Sequence, residues 1–315
     1  MHMDKGDYTL TQDKINQLSK EIKELKKERR AVILSHYYQR PEIQEVADFI
    51  GDSLELSRQA AKTEAAVIVF CGVHFMAESA SVLSPGKIVL LPEENAGCPM
   101  ADMITAIDLE RWKKNFPRAT VICYVNTSAE VKAQSDIACT SANAVKVINS
   151  LPPDEVILFI PDKNLGDYIA RQTGRKINVW DGYCNTHHKL TRQDVLAAKE
   201  EHPDALVVVH PECRPEVVEL ADKVASTSGM LRFIRESPAR GFIIGTETGI
   251  LHQCYKQCPG KEFFPASKKM VCPNMKATNL EKVRNSLVKL EPKITVSPEI
   301  RKRALRSLER MLAIT

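Results

Sequence analysis

Three cysteines recur at a nearly constant interval: Cys98, Cys184 and Cys272 are 184 − 98 = 86 and 272 − 184 = 88 residues apart. Three thiolates meeting at one point suit a three-thiolate metal site, or a [4Fe–4S] cluster with one iron lacking a protein ligand. Such an open iron is a Lewis acid that can hold a hydroxyl or carboxylate and help expel water. A zinc ion completed by His187 or His188, close to Cys184, is the competing arrangement. Taken singly, each of the nine cysteines is most simply a small buried hydrophobe, so the register has to carry the argument.

Two further sets keep the same register. His36, Tyr124 and His210 are 88 and 86 residues apart, and seventeen residues after each comes a hydroxyl: Ser53, Ser141 and Thr227. A hydroxyl at a helix start is ordinarily an N-cap, and a strand-end His or Tyr ordinarily packs or faces solvent. A capping requirement, however, does not oblige a histidine seventeen residues upstream. Free N–H groups and the dipole at a helix start favour anions, so the pattern predicts three anion-binding corners beside three strand-end side chains.

The elements that must position these residues repeat as well. Apolar runs at 31–36, 119–124 and 205–210 end in the His, Tyr and His; second runs lie at 66–70, 156–160 and 241–245. Helical stretches follow each hydroxyl, a third short strand comes next, and each unit closes with its cysteine. Short apolar strands linked by helices predict parallel sheets with right-handed crossovers, and ligands bind beyond the carboxyl ends of such strands. The expected fold is α/β: three similar α/β/α domains with small parallel sheets around a pseudo-threefold axis. The expected division is an N-terminal helix within 1–30, repeats over 31–112, 113–198 and 199–278, and C-terminal helices over 279–315. Ile15, Leu18, Ile22 and Leu25 mark the first helix over 11–30; Pro292 separates the last two, over 279–291 and 297–313.

Composition excludes several classes. Hydrophobic residues are 43% and charged residues 27%, ordinary for a globular chain, and the net charge of +4 is too slight to argue for nucleic acid. No apolar run reaches the roughly 18–20 residues of a membrane span. Met1-His-Met-Asp4 followed by polar sequence does not match a signal peptide, so a cytoplasmic location is expected. No G-x-G-x-x-G follows any strand, which argues against a flavin or nicotinamide enzyme. An odd cysteine count argues against a disulfide framework.

The motifs themselves resemble one family. Ser35-His-Tyr-Tyr-Gln39, Gly51-Asp-Ser-Leu-Glu-Leu-Ser57, Ala96-Gly-Cys-Pro-Met-Ala-Asp102, Tyr124-Val-Asn126, Cys139-Thr-Ser-Ala-Asn143, His210-Pro-Glu-Cys213, Gly245-Thr-Glu247 and Cys272-Pro-Asn-Met-Lys276 are similar to the quinolinate synthases, over about residues 30 to 290. The resemblance implies an enzyme of NAD biosynthesis that condenses iminoaspartate with dihydroxyacetone phosphate, losing phosphate and two waters. It implies a [4Fe–4S] cluster on Cys98, Cys184 and Cys272, and a phosphate, later a product carboxylate, on Ser141 and Thr227. It further implies a dicarboxylate on His36 and Ser53, Tyr124 and Asn126 lining the cavity, proton transfers by His210 and Glu212, and Tyr38 closing the site. L-Aspartate oxidase, which makes iminoaspartate, is the expected transient protein partner; no nucleic acid or membrane is expected. His210 and Glu212, two apart at a strand end, are expected to point to the same side. Some members carry a C-x-x-C pair before the third ligand that forms a regulatory disulfide. Here Cys254 and Cys258 stand at i, i+4 on a predicted helix, where geometry disfavours a disulfide, so no redox switch is expected. Cys71, Cys123, Cys139 and Cys213 are expected to be buried fillers.

Overall fold

The computed structural model describes residues 10–314, so the expectation drawn from Met1 to Asp4 lies outside the described residues. Among the described residues, twelve short strands fall into three runs of four. The first comprises β1 (Ala31–His36), β2 (Phe49–Gly51), β3 (Val67–Cys71) and β4 (Ile88–Leu90). The second comprises β5 (Thr120–Tyr124), β6 (Ile137–Cys139), β7 (Ile157–Ile160) and β8 (Ile177–Val179). The third comprises β9 (Leu206–Val209), β10 (Lys223–Val224), β11 (Gly241–Gly245) and β12 (Glu262–Pro265). Each run forms one parallel sheet in the same order: β2-β1-β3-β4, β6-β5-β7-β8 and β10-β9-β11-β12. The protein is α/β, with three small sheets of one design.

In the first and third sheets, alternation along the central strands divides their side chains between two apolar layers. In β1, Val32 and Leu34 join the large central core while Ile33 faces the opposite cluster. In β9, Val208 faces the central core and Val207 and Val209 face away. The helix expected over 11–30 spans Gln12–Glu28 and is opened by the Thr11 side chain, which accepts the Lys14 N–H. Its buried Leu18 and Ile22 pack on Ile33, Val67 and Val69, together with Leu280, Val283 and Leu287 of the helix Leu280–Lys289. Chain ends thus cover one face of the first sheet; truncating Ile22 to alanine would cost about 2–5 kcal/mol. The last helix, expected over 297–313, spans Pro298–Ala313 and crosses to the second unit, where Ser307 Oγ donates to the Lys132 carbonyl.

Two bonding patterns recur in all three units and were not anticipated. Just ahead of β2, β6 and β10 stand Asp48, Asp136 and Asp222, themselves 88 and 86 residues apart. Their carboxylates accept the N–H of Ile33, Val121 and Val207 at 2.8, 2.8 and 2.7 Å. The carbonyls of those same three residues accept the aspartates' own N–H groups, closing a two-way lock on the central strand. The other pattern anchors the cysteine loops. His74, Lys163 and Thr248 donate their N–H to the carbonyls of Ala96, Gly182 and Met270, each two residues before a cysteine of the triplet.

Candidate active site

The carboxyl ends of the three sheets open on one cavity of about 180 Å³. His36, Tyr124 and His210 line it at the strand ends, Ser53, Ser141 and Thr227 at the turns that follow, and Cys98, Cys184 and Cys272 at the closing loops. Tyr38, Asn126 and Glu212 line it too. All twelve residues singled out in the sequence therefore reach one space.

Backbone geometry fixes the two histidines alike. The N–H of Tyr38 donates to His36 Nδ1 at 3.2 Å, and the N–H of Glu212 donates to His210 Nδ1 at 3.3 Å. With Nδ1 an acceptor, each neutral ring carries its proton on Nε2. Burial pushes both imidazoles down to about 3, only partly offset by the Glu212 charge, so both are neutral donors at ordinary pH. His210 Nε2 is 3.1 Å from Ser141 Oγ, making an N–H and hydroxyl corner.

The three hydroxyl corners are less alike than their spacing. Ser53 and Thr227 are the first residues of helices Ser53–Lys62 and Thr227–Glu236, but the caps are their predecessors, Asp52 and Ser226. Freed from capping, both hydroxyls are available to a ligand. In the first unit, however, Asp52 accepts the N–H groups of Leu54 and Glu55, and Glu55 accepts the Asp52 N–H, so carboxylates already occupy that helix end. In the third unit Ser226 Oγ accepts the Gly229 N–H at 3.2 Å, and Ser228 Oγ at the same helix end donates to Asp52 Oδ2 of the first unit at 2.5 Å, so the two corners share one carboxylate. Ser141 opens no helix: its turn is held by Asn143, and the helix begins at Ala144.

Glu212 is at the centre. It lies in the turn after β9 and not on a strand, so it faces the cavity through the turn's curvature and the strand-alternation argument does not apply. The Tyr124 hydroxyl donates to one carboxylate oxygen, and His187 Nδ1 lies 2.7 Å from the other. Burial alone would raise this carboxyl. The adjacent His187 and the hydrogen bond from the Tyr124 hydroxyl outweigh burial and hold it well below the usual carboxylate range, so Glu212 is an anion. Burial and that charge push the Tyr124 phenol well above its ordinary value and keep it a donor. On the other side of the ring, His187 Nε2 is 2.8 Å from Thr246 Oγ1, and Thr246 is 2.6 Å from the Tyr38 hydroxyl. Tyr38 is in turn 2.9 Å from Thr227 Oγ1, so a hydrogen-bonded chain crosses the cavity from the first unit to Glu212. His187 had entered the sequence argument only as a zinc ligand; its i, i+3 spacing from Cys184 was the available signal.

All nine cysteines are free thiols. Cys98, Cys184 and Cys272 are partly exposed, whereas Cys71, Cys123, Cys139 and Cys213 are buried, as expected of fillers. Cys254 lies in the helix Ile250–Gln257 and Cys258 just beyond it, both buried. Burial pushes the Cys98 thiol up to about 12 and raises Cys184 and Cys272, so a metal's charge must replace the proton if they are to act as ligands. A single tetrahedral ion with metal–sulfur bonds near 2.3 Å would hold three sulfurs about 4 Å from one another. Among the described residues the trio of potential ligand atoms within 4.8 Å of each other is Cys184, His187 and Glu212, without Cys98 and Cys272. Cys98, Cys184 and Cys272 do not form such a trio. His188 does not line the cavity; its ring packs on Tyr183 and its Nδ1 lies 3.3 Å from Asn164. Finally, the buried Asn126 Oδ1 has no hydrogen-bond partner, an acceptor waiting for a donor from a ligand.

The sequence profile of the Quinolinate synthetase A protein family matches residues 20–313. The chain belongs to this family. It is 61% identical to a quinolinate synthase of Desulforudis audaxviator over 299 residues, covering 95% of this chain and 99% of that protein. It is 57% identical to quinolinate synthase 1 of Methanosarcina acetivorans over 297 residues, covering 94% and 97%. A quinolinate synthase of Geobacter metallireducens is 57% identical with the same coverage. Among the described residues no helix is long and apolar enough to cross a membrane.

Proposed function

We propose that the chain condenses iminoaspartate with dihydroxyacetone phosphate to quinolinate, with loss of phosphate and two waters, in NAD biosynthesis in the cytoplasm. The observation that carries this reading is the meeting of three thiols, two neutral histidine donors and an ionised glutamate in one cavity built from all three sheets. Cys98, Cys184 and Cys272 would hold a [4Fe–4S] cluster, whose iron without a protein ligand supplies Lewis acidity to a departing hydroxyl. Direct transfer of iminoaspartate from L-aspartate oxidase belongs to the same proposal.

The chain's own groups divide the remaining work. Ser141 with His210 Nε2–H, and the Thr227 hydroxyl at the first position of its helix, supply the donors for the phosphate and later for a product carboxylate. His36 Nε2–H and Ser53 address the dicarboxylate, at a corner where Asp52 also stands. Because His210 Nδ1 is occupied by the Glu212 N–H, the proton-handling pair expected at His210 and Glu212 is better drawn as Glu212 with His187. Each donor that a substrate displaces from Glu212 raises its basicity, so the carboxylate becomes a proton acceptor as the site fills. Asn126 Oδ1 accepts from a substrate hydroxyl or imine N–H. Tyr38, tied to Thr227 and Thr246, closes the cavity over the bound pair.

The test is anaerobic reconstitution with iron and sulfide, then turnover with dihydroxyacetone phosphate and freshly generated iminoaspartate. About four irons per chain, and quinolinate only from the reconstituted protein, are expected. A full complement of iron without quinolinate would leave another hydroxy-acid dehydratase. Stoichiometric zinc and no iron would return the site to Cys184, His187 and Glu212.

A further inference from the structure

The same anchor precedes all three cysteines, but the residue beside it changes. Immediately before His74, Lys163 and Thr248 stand Val73, Asp162 and Glu247. Asp162 Oδ2 accepts the N–H of Cys184 at 3.1 Å, and Glu247 Oε1 accepts the N–H of Cys272 at 3.1 Å. Valine offers Cys98 no such acceptor. Glu247 does more than Asp162. The other oxygen of each carboxylate accepts a further N–H, that of Leu165 for Asp162 at 2.8 Å and that of Gly249 for Glu247 at 2.7 Å, but at Glu247 Lys276 Nζ also lies 3.0 Å from the carboxylate while donating to the carbonyl of Tyr38. Glu247 is wholly buried, so this pairing is shielded from solvent.

The approach of the two units at this point is close. A Cβ placed on Gly249 would sit 2.7 Å from the carbonyl carbon and oxygen of Tyr38, a backbone neighbour that cannot give way cheaply. Gln44 Nε2 completes the joint, 3.0 Å from each of the carbonyls of Tyr37, Gln39 and Gly249. Arg40 Nε donates to the Lys276 carbonyl at 2.8 Å.

We propose that Glu247 and Lys276 are a positioning pair that couples the seating of Cys272 to the position of the Tyr38 segment, so that the metal loop and the closing tyrosine move as one. The inference rests on reading Cys272 and Tyr38 as site residues. Neither Glu247 nor Lys276 is asked to touch a reacting atom. The carboxylate orients the Cys272 backbone, and the ammonium transmits that orientation to the first unit.

The unequal loops supply an internal control. In the full-length chain stripped of metal by an anaerobic chelator, alkylation of Cys98, Cys184 and Cys272 is followed residue by residue by mass spectrometry. Backbone hydrogen exchange of residues 37–40 is followed alongside it. Lys276→Met is expected to speed Cys272 about tenfold and to raise exchange at 37–40, with Cys98 and Cys184 within about twofold of the parent. Lys276→Arg, which keeps the charge and a donor, should restore both. Glu247→Gln cannot satisfy both N–H groups, because its amide offers one oxygen, and should reproduce the Lys276→Met pattern. Equal acceleration of all three thiols, or an unchanged Cys272 with unchanged exchange, would overturn the proposal. Iron binding by the parent chain tests the site reading separately, since none of these rates depends on it.

Discussion

The first and third units share a strand order and a strand-end histidine locked by the N–H two residues on, yet they present different surfaces to the cavity. In the first, Asp52 and Glu55 close the helix end with carboxylates, and Val73 leaves Cys98 without a polar brace. In the third, a serine caps the helix, Ser228 beside it reaches across to Asp52, and Glu247 braces Cys272. The scaffold bonds are kept in triplicate while the positions that meet a ligand diverge. A repeated architecture has thus become a cavity with distinct corners, as the two dissimilar substrates proposed for it would require.

The largest effect that would break this comparison lies in the cysteines, where the units are proposed to act as equals. Cys98→Ser, Cys184→Ser and Cys272→Ser should each reduce iron after reconstitution from about four per chain to background, whereas Cys71→Ser and Cys123→Ser should leave it unchanged. An intact brown cluster in Cys184→Ser would remove that residue from the ligand set. Next in size, Glu212→Gln should keep the iron but lower turnover by about 10²–10⁴, read as quinolinate formed per cluster. Parent-like turnover would take Glu212 out of proton transfer.

The asymmetry of the anion corners predicts a smaller, graded effect. Thr227→Ala and Ser141→Ala should each weaken competitive inhibition by inorganic phosphate by about tenfold or more, the value of one hydrogen bond to a charged group. Ser53→Ala, beside the Asp52 carboxylate, should change it by less than about twofold. Equal losses at all three would mean that the helix ends act alike after all. The smallest effects test the scaffold. Asp48→Ala, Asp136→Ala and Asp222→Ala each remove one solvent-bordered lock and should each cost about 1 kcal/mol in urea unfolding. Values differing severalfold would show that the units are not energetically equivalent.

Much of this was legible in the sequence because long-range register survives where local signals fade. The apolar runs ending in His36, Tyr124 and His210 needed only periodicity, and the cysteines needed only their interval. The edge strands β2, β6 and β10 escaped because two or three residues carry no period, although Asp48, Asp136 and Asp222 marked them at the same spacing. Capping by Asp52 and Ser226, one residue earlier than assumed, was hidden because either residue of each pair can cap. The turn that aims Glu212 and the contacts of His187 depend on tertiary placement across units, which no local pattern encodes. Glu247 lay within a quoted motif, but only its neighbours in space give it a role.

The unsatisfied oxygen of Asn126 has a consequence for selectivity. The groups around it, two imidazole N–H donors, several hydroxyls and the Tyr124 phenol, offer protons, so a generic polyanion could fill much of the cavity equally well. A molecule that also presents an N–H or O–H to this unpartnered oxygen should be preferred over a methyl or ether analogue by about 10–100-fold. An inhibitor designed on charge alone would miss that discrimination, and one carrying the donor would inherit it.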